Sequence, residues 1–178
     1  MRILLVSSFL LISQSLFACH KGAPDQTVNK FYGVYLKLHS FGVPDERERA
    51  QYSPYISTEL SELLKRADEA EQKHEAATKG EEPPLVEGEL FTSLFEGAGS
   101  YRVTSCESND ANALCTVEFT YINPGDKSEV KWKDKVYLAK SSRGWAVDDI
   151  EYLGEWQFMH KGRLKDLLKE VIEEGNGN

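Results

Sequence analysis

Three aspartates, Asp134, Asp148 and Asp149, fall in stretches where apolar and polar residues alternate. A carboxyl group held among apolar neighbours loses the solvation that stabilises its charge. Its pKa then rises, and it can serve as a general base near neutral pH. Asp134 is in phase with Trp132, Val136 and Leu138, while Lys131, Lys133 and Lys135 take the opposite, solvent-facing phase. Asp149 alternates in phase with Trp145 and Val147. With Tyr35 from an earlier helix, Asp134, Asp149, Trp132 and Trp145 make the candidate pocket. The plainer reading is that Asp134 marks a strand bend or edge, and that Asp148 and Asp149 bond local backbone or a lysine. No histidine falls in these stretches to act as a second catalytic group. Gly-x-Ser-x-Gly, His-Glu-x-x-His and a phosphate-cradling glycine loop are all missing from the sequence.

The chain holds three cysteines, and the first closes an apolar leader. Residues 1–18 have a charged start at Arg2 and an apolar run from Ile3 to Phe17, too short for a span of about 20 residues and typical of a secretory signal. Leu16-Phe17-Ala18-Cys19 resembles the bacterial lipobox, with Phe17 in place of the usual small residue. The resemblance implies lipidation of Cys19 and anchoring by three acyl chains. His20 is not the aspartate that retains lipoproteins in the inner membrane, which points to the outer membrane. The alternative is a plain secreted protein. A lipidated Cys19 leaves Cys106 and Cys115, which flank "ESNDANAL" with turn-favouring Asn and Asp at its middle. In an exported protein this pair is expected to form a disulfide. A metal site is the competing idea, but two cysteines without a nearby histidine are too few ligands.

These groups need elements to position them. Residues 19–26 read as a tether, 27–174 as one domain and 175–178 as a tail. Asp25 or Thr27 can cap a helix whose Val28, Phe31, Tyr32, Tyr35, Leu36 and His39 share one face, with His39 at its end. A charged turn interrupted by Pro54 follows. Ser57 then caps a second long helix through Leu60, Leu63, Leu64 and Ala67. Beyond Ala67 the chain is too polar to bury much, and His74 is expected in solvent. After a local cluster of Leu85, Leu90, Phe91, Leu94 and Phe95 come four antiparallel strands, with a type II turn at "NPGD". Pairing Cys106 with Cys115 would turn Val103 away from Val117 unless a bulge shifts the register. An amphipathic helix through Leu164, Leu167, Leu168, Val171 and Ile172 ends the chain. Tyr152, Trp156 and Phe158 pack against that helix or present an aromatic patch. The lysine stripe is a solvated face meeting Glu118 or Glu129, or else a contact for an anionic ligand or lipid.

The expected class is therefore α+β, with N-terminal helices on a curved antiparallel sheet. "KFYGVYLKL", "YISTELSELL" and "RGWAVDDIEY" resemble bacterial lipoproteins of the Domain of Unknown Function 3828 family, of the nuclear transport factor 2-like, cystatin-like superfold, over roughly residues 25–153. The resemblance implies a cone-shaped domain and carries no agreed activity. With 29 acidic against 21 basic residues, nucleic acid is not an expected partner. The function expected is a non-enzymatic, lipid-anchored periplasmic protein that needs no cofactor or metal. It would bind an envelope protein, a cell-wall fragment or a small ligand. An inhibitor of a secreted toxin and a small enzyme with a general-base aspartate are the alternatives.

Overall fold

The computed structural model describes residues 22–156 and 160–177. Cys19 with its leader, and Phe158, lie outside the described residues. The first helix, α1, spans Pro24–Leu38. Pro24 takes the first helical turn, where its missing N–H is no loss, and Ala23 rather than Asp25 or Thr27 is the N-cap residue. Val28, Phe31, Tyr32 and Tyr35 form the buried face. His39 closes the helix in the left-handed region (φ 48°), donating its N–H to the Tyr35 carbonyl. The short α2, Glu46–Tyr52, is started by a reciprocal cap between Asp45 and Glu48. In α3, Thr58–Thr78, the Ser57 side chain accepts the Leu60 N–H.

α3 continues well beyond Ala67 and buries Asp68, Ala70 and His74 on the way. His74 is only 5 % exposed, with its Nε2 3.0 Å from the Pro83 carbonyl, so the expectation that it sits in solvent is corrected. The chain after α3 turns back to place Pro83 there, and a second partner packs on the same helix. The C-terminal helix α4, Leu164–Gly177, lies against α3 so closely that a Cβ at Gly175 would sit 2.7 Å from Ala70.

The strands are β1 (Ser100–Ser108), β2 (Asn112–Ile122), β3 (Glu129–Ser141), β4 (Gly144–Tyr152) and the two-residue β5 (Gly162–Arg163). They form one antiparallel sheet in the order β1-β2-β3-β4-β5. Helices cover one face, onto which β2–β4 turn Cys115, Val117, Phe119, Val136, Leu138, Val147 and Ile150. β5 is too short to show a period in sequence. Two bulges set the register. Val103 pairs with Val117 and Ser105 with Thr116, so Thr104 is the extra residue. This lets Val103 face Val117 while Cys106 meets Cys115, and the Cys106–Cys115 disulfide is formed. Tyr137 pairs with Asp149 and Leu138 with Val147, so Asp148 is the second bulged residue. The turn after β2 differs from the expected type II. Lys127 (φ 62°), rather than Gly125, takes the left-handed conformation, and its N–H bonds to the Asn123 carbonyl.

Candidate functional site

Between α3 and β1, residues 85–99 form no regular element, yet most are buried among the core side chains. A buried irregular chain must satisfy its own N–H and C=O groups by other means. Two carboxylates and three tyrosines do so here. Asp134, fully buried on β3, accepts from the Ser93 N–H (2.9 Å), the Ser93 hydroxyl, the Trp132 Nε1–H (3.1 Å) and the Leu153 N–H (2.9 Å). The Glu89 Oε1 accepts from the N–H groups of Leu90 (2.9 Å) and Phe91 (3.0 Å). Tyr32 donates to the Phe91 carbonyl and Tyr152 to the Leu90 carbonyl, while the Tyr35 hydroxyl accepts the Ala98 N–H.

Burial raises both acids, against different sets of donors. Burial pushes Glu89 up to about 7, opposed by its two backbone donors. Burial also raises Asp134, but four donors hold its charged form and oppose the rise. The Tyr35 hydroxyl lies against Glu89 beside Gly97, where a Cβ would sit 2.8 Å from that hydroxyl and 3.4 Å from the Glu89 Oε2. Gly97 is left-handed (φ +79°), so both the space and the backbone require glycine. Nearby, burial raises the Tyr52 hydroxyl, and the Glu89 charge adds to the rise.

Two of Asp134's partners, Trp132 and Leu153, belong to an open groove of about 520 Å³. Trp132, Leu153, Gly154 and Trp156 line it, with Glu118, Lys131, Lys133 and Glu155 at its rim. The two tryptophan rings meet edge to face at 5.5 Å, and the other side of Trp132 stacks on Phe119. Asp134 holds Trp132 and Leu153, and the Ser93 hydroxyl accepts the Gly154 N–H at 3.0 Å. The buried aspartate and serine therefore fix three of the lining residues, which gives the groove a rigid floor. Leu153 is 41 % exposed there.

The structure brings Asp134 and Trp132 together and separates the rest of the candidate set. Tyr35 belongs to the Glu89 cluster. Trp145 lies under the Lys140 ammonium, 5.1 Å from the ring centre. The bulge at Asp148 breaks the alternation that would align Asp149 with Trp145 and Val147. Asp149 instead accepts the Ile150 and Lys165 N–H groups at the start of α4, with Arg163 at 3.4 Å, and Asp148 pairs with Lys165 at 2.8 Å. Lys131 meets Glu129 (3.1 Å), Lys133 meets Glu118 (3.9 Å) and Lys135 meets Glu151 (3.9 Å). Glu89 and Ser93 carry no sequence signal beyond lying in an apolar cluster without a period, where Glu87 and Glu96 are equally acidic. Among the described residues no group of three metal-ligating side chains converges, and no helix is long and apolar enough to cross a membrane.

No family model matches the sequence. The chain is similar to the uncharacterized lipoprotein YbjP of Escherichia coli (strain K12), at 27 % identity over 152 residues, covering 85 % of this chain and 78 % of that one.

Proposed function

We propose that this chain is a lipid-anchored periplasmic protein of the outer membrane, and that its domain acts by binding at the Trp132–Trp156 groove rather than by catalysis. The observation that carries the second half is the saturation of Asp134. A general base needs a lone pair directed at substrate, and every bond Asp134 makes is to a donor of its own chain. It is a positioning residue. The lipoprotein relative spans most of the chain, and the Cys19 pattern agrees with it. The Cys106–Cys115 disulfide accords with an oxidising compartment. The helices on one face of an antiparallel sheet accord with the cone-shaped superfold that the sequence resembles. Metabolic labelling with a clickable fatty acid tests the anchor. The wild type should be labelled and C19A should not; equal labelling of both would overturn it.

A further inference from the structure

The groove also exposes a strand edge. β3 pairs with β2 from Glu129 to Ala139, but with β4 only from Lys135 to Ser141. Among the described residues, Glu129 to Asp134 have no strand partner on the β4 side. The reason is the Asp134–Ser93 pair. By taking the Leu153 and Gly154 N–H groups, it draws the chain out of the ladder directly after Tyr152. The gap so opened is the groove, which Lys131, Trp132 and Lys133 line together with Leu153, Gly154, Glu155 and Trp156.

From this geometry, and resting on the groove being the binding site, we propose that its ligand is an extended peptide segment of a partner protein. The segment pairs as a strand with the edge of β3 that has no strand partner among the described residues. Strand addition takes its affinity from backbone hydrogen bonds and its specificity from alternate side chains. The two faces of β3 differ sharply here. One carries Lys131 and Lys133, each 56 % exposed; the other carries Trp132, backed by Trp156 and Leu153. A segment alternating acidic and apolar residues complements both at once. Its carboxylates would meet the lysines, in competition with Glu129 and Glu118, and its apolar side chains would enter the tryptophan-lined groove. Charge also guards the edge, since lysines discourage pairing with unselected apolar strands.

The test is a titration of the isotope-labelled full-length chain in detergent micelles with a short peptide alternating glutamate and valine. Saturable binding is expected, with slowed amide exchange within Glu129–Asp134 and shifted indole signals of Trp132 and Trp156. K131S/K133S should weaken it about tenfold. The same peptide N-methylated at alternate amides should not bind. Equal binding of the methylated peptide, or shifted indoles without slowed exchange, would overturn strand pairing while leaving the groove as the binding site. No change at either tryptophan at saturating peptide would overturn the peptide ligand and count against the groove itself.

Discussion

Glu89 offers the sharpest quantitative test of how this interior is built. Burial moves its carboxyl from an ordinary 4.5 to about 7, so the folded chain holds this proton more tightly than the unfolded chain does. The sign follows directly. Between those two values the native state carries more protons than the unfolded state, so stability falls as pH rises through the window and levels off above it. At about 1.36 kcal/mol per pH unit, and with the unfolded group already half-ionised near 4.5, the loss between pH 5 and pH 8 is about 2.5 kcal/mol. Glu89→Gln removes the titration but retains an acceptor for the Leu90 and Phe91 N–H groups. Urea unfolding of both proteins should therefore give E89Q close to wild type at pH 5 and roughly 2–3 kcal/mol more stable than wild type at pH 8. Taking the difference between the two proteins cancels every other titrating group. A constant difference at the two pH values would refute the reasoning, because it would mean that Glu89 is charged throughout or solvated in the folded state.

Other substitutions probe neighbouring parts of the molecule. Asp134→Asn turns part of a four-fold acceptor into a donor facing buried donors. It should cost about 2–3 kcal/mol in urea unfolding and shift the tryptophan fluorescence, since Trp132 and Leu153 bond different oxygens and the amide keeps an acceptor for only one of them. Gly154→Ala places a Cβ 2.5 Å from the Trp156 ring and 2.8 Å from the Ser93 Cβ. It should displace the indole and cost about 1–3 kcal/mol, read by the same fluorescence and by thermal unfolding. C106S/C115S removes the link across the β1–β2 hairpin and should cost roughly 2.5–3 kcal/mol, a loss that reduction of the wild type should match.

How much of this could be read in the sequence depended on periodicity. Helix faces and strand alternation were legible because Val28–Tyr35, Leu60–Ala67 and Leu164–Ile172 repeat at helical spacing, and β2 and β3 alternate. Even the β1 bulge was foreseeable, since two cysteines that pair and a valine that must face the core cannot share one unbroken register. The Asp148 bulge had no such forcing pair, so Asp149 was assigned to the wrong alternation. His74 reads as solvated because its own helix has few large apolar residues beyond Ala67; the returning chain at Pro83 covers it. Glu89 and Ser93 stayed invisible for a related reason. Their role is to satisfy backbone groups of an aperiodic segment, and neither spacing nor composition records which amides need a partner.

The bulge at Thr104 has a consequence for how copies of this protein meet. β1 is the outer edge of the sheet, and a straight edge strand is a template on which a second molecule can extend the ladder. The extra residue kinks β1 midway, with the Thr104 hydroxyl bonded back to the Thr116 carbonyl. No long run of regularly spaced amides is left there for another copy to match. The sheet is thus blunted at its β1 margin, which offers another strand no uninterrupted ladder to extend.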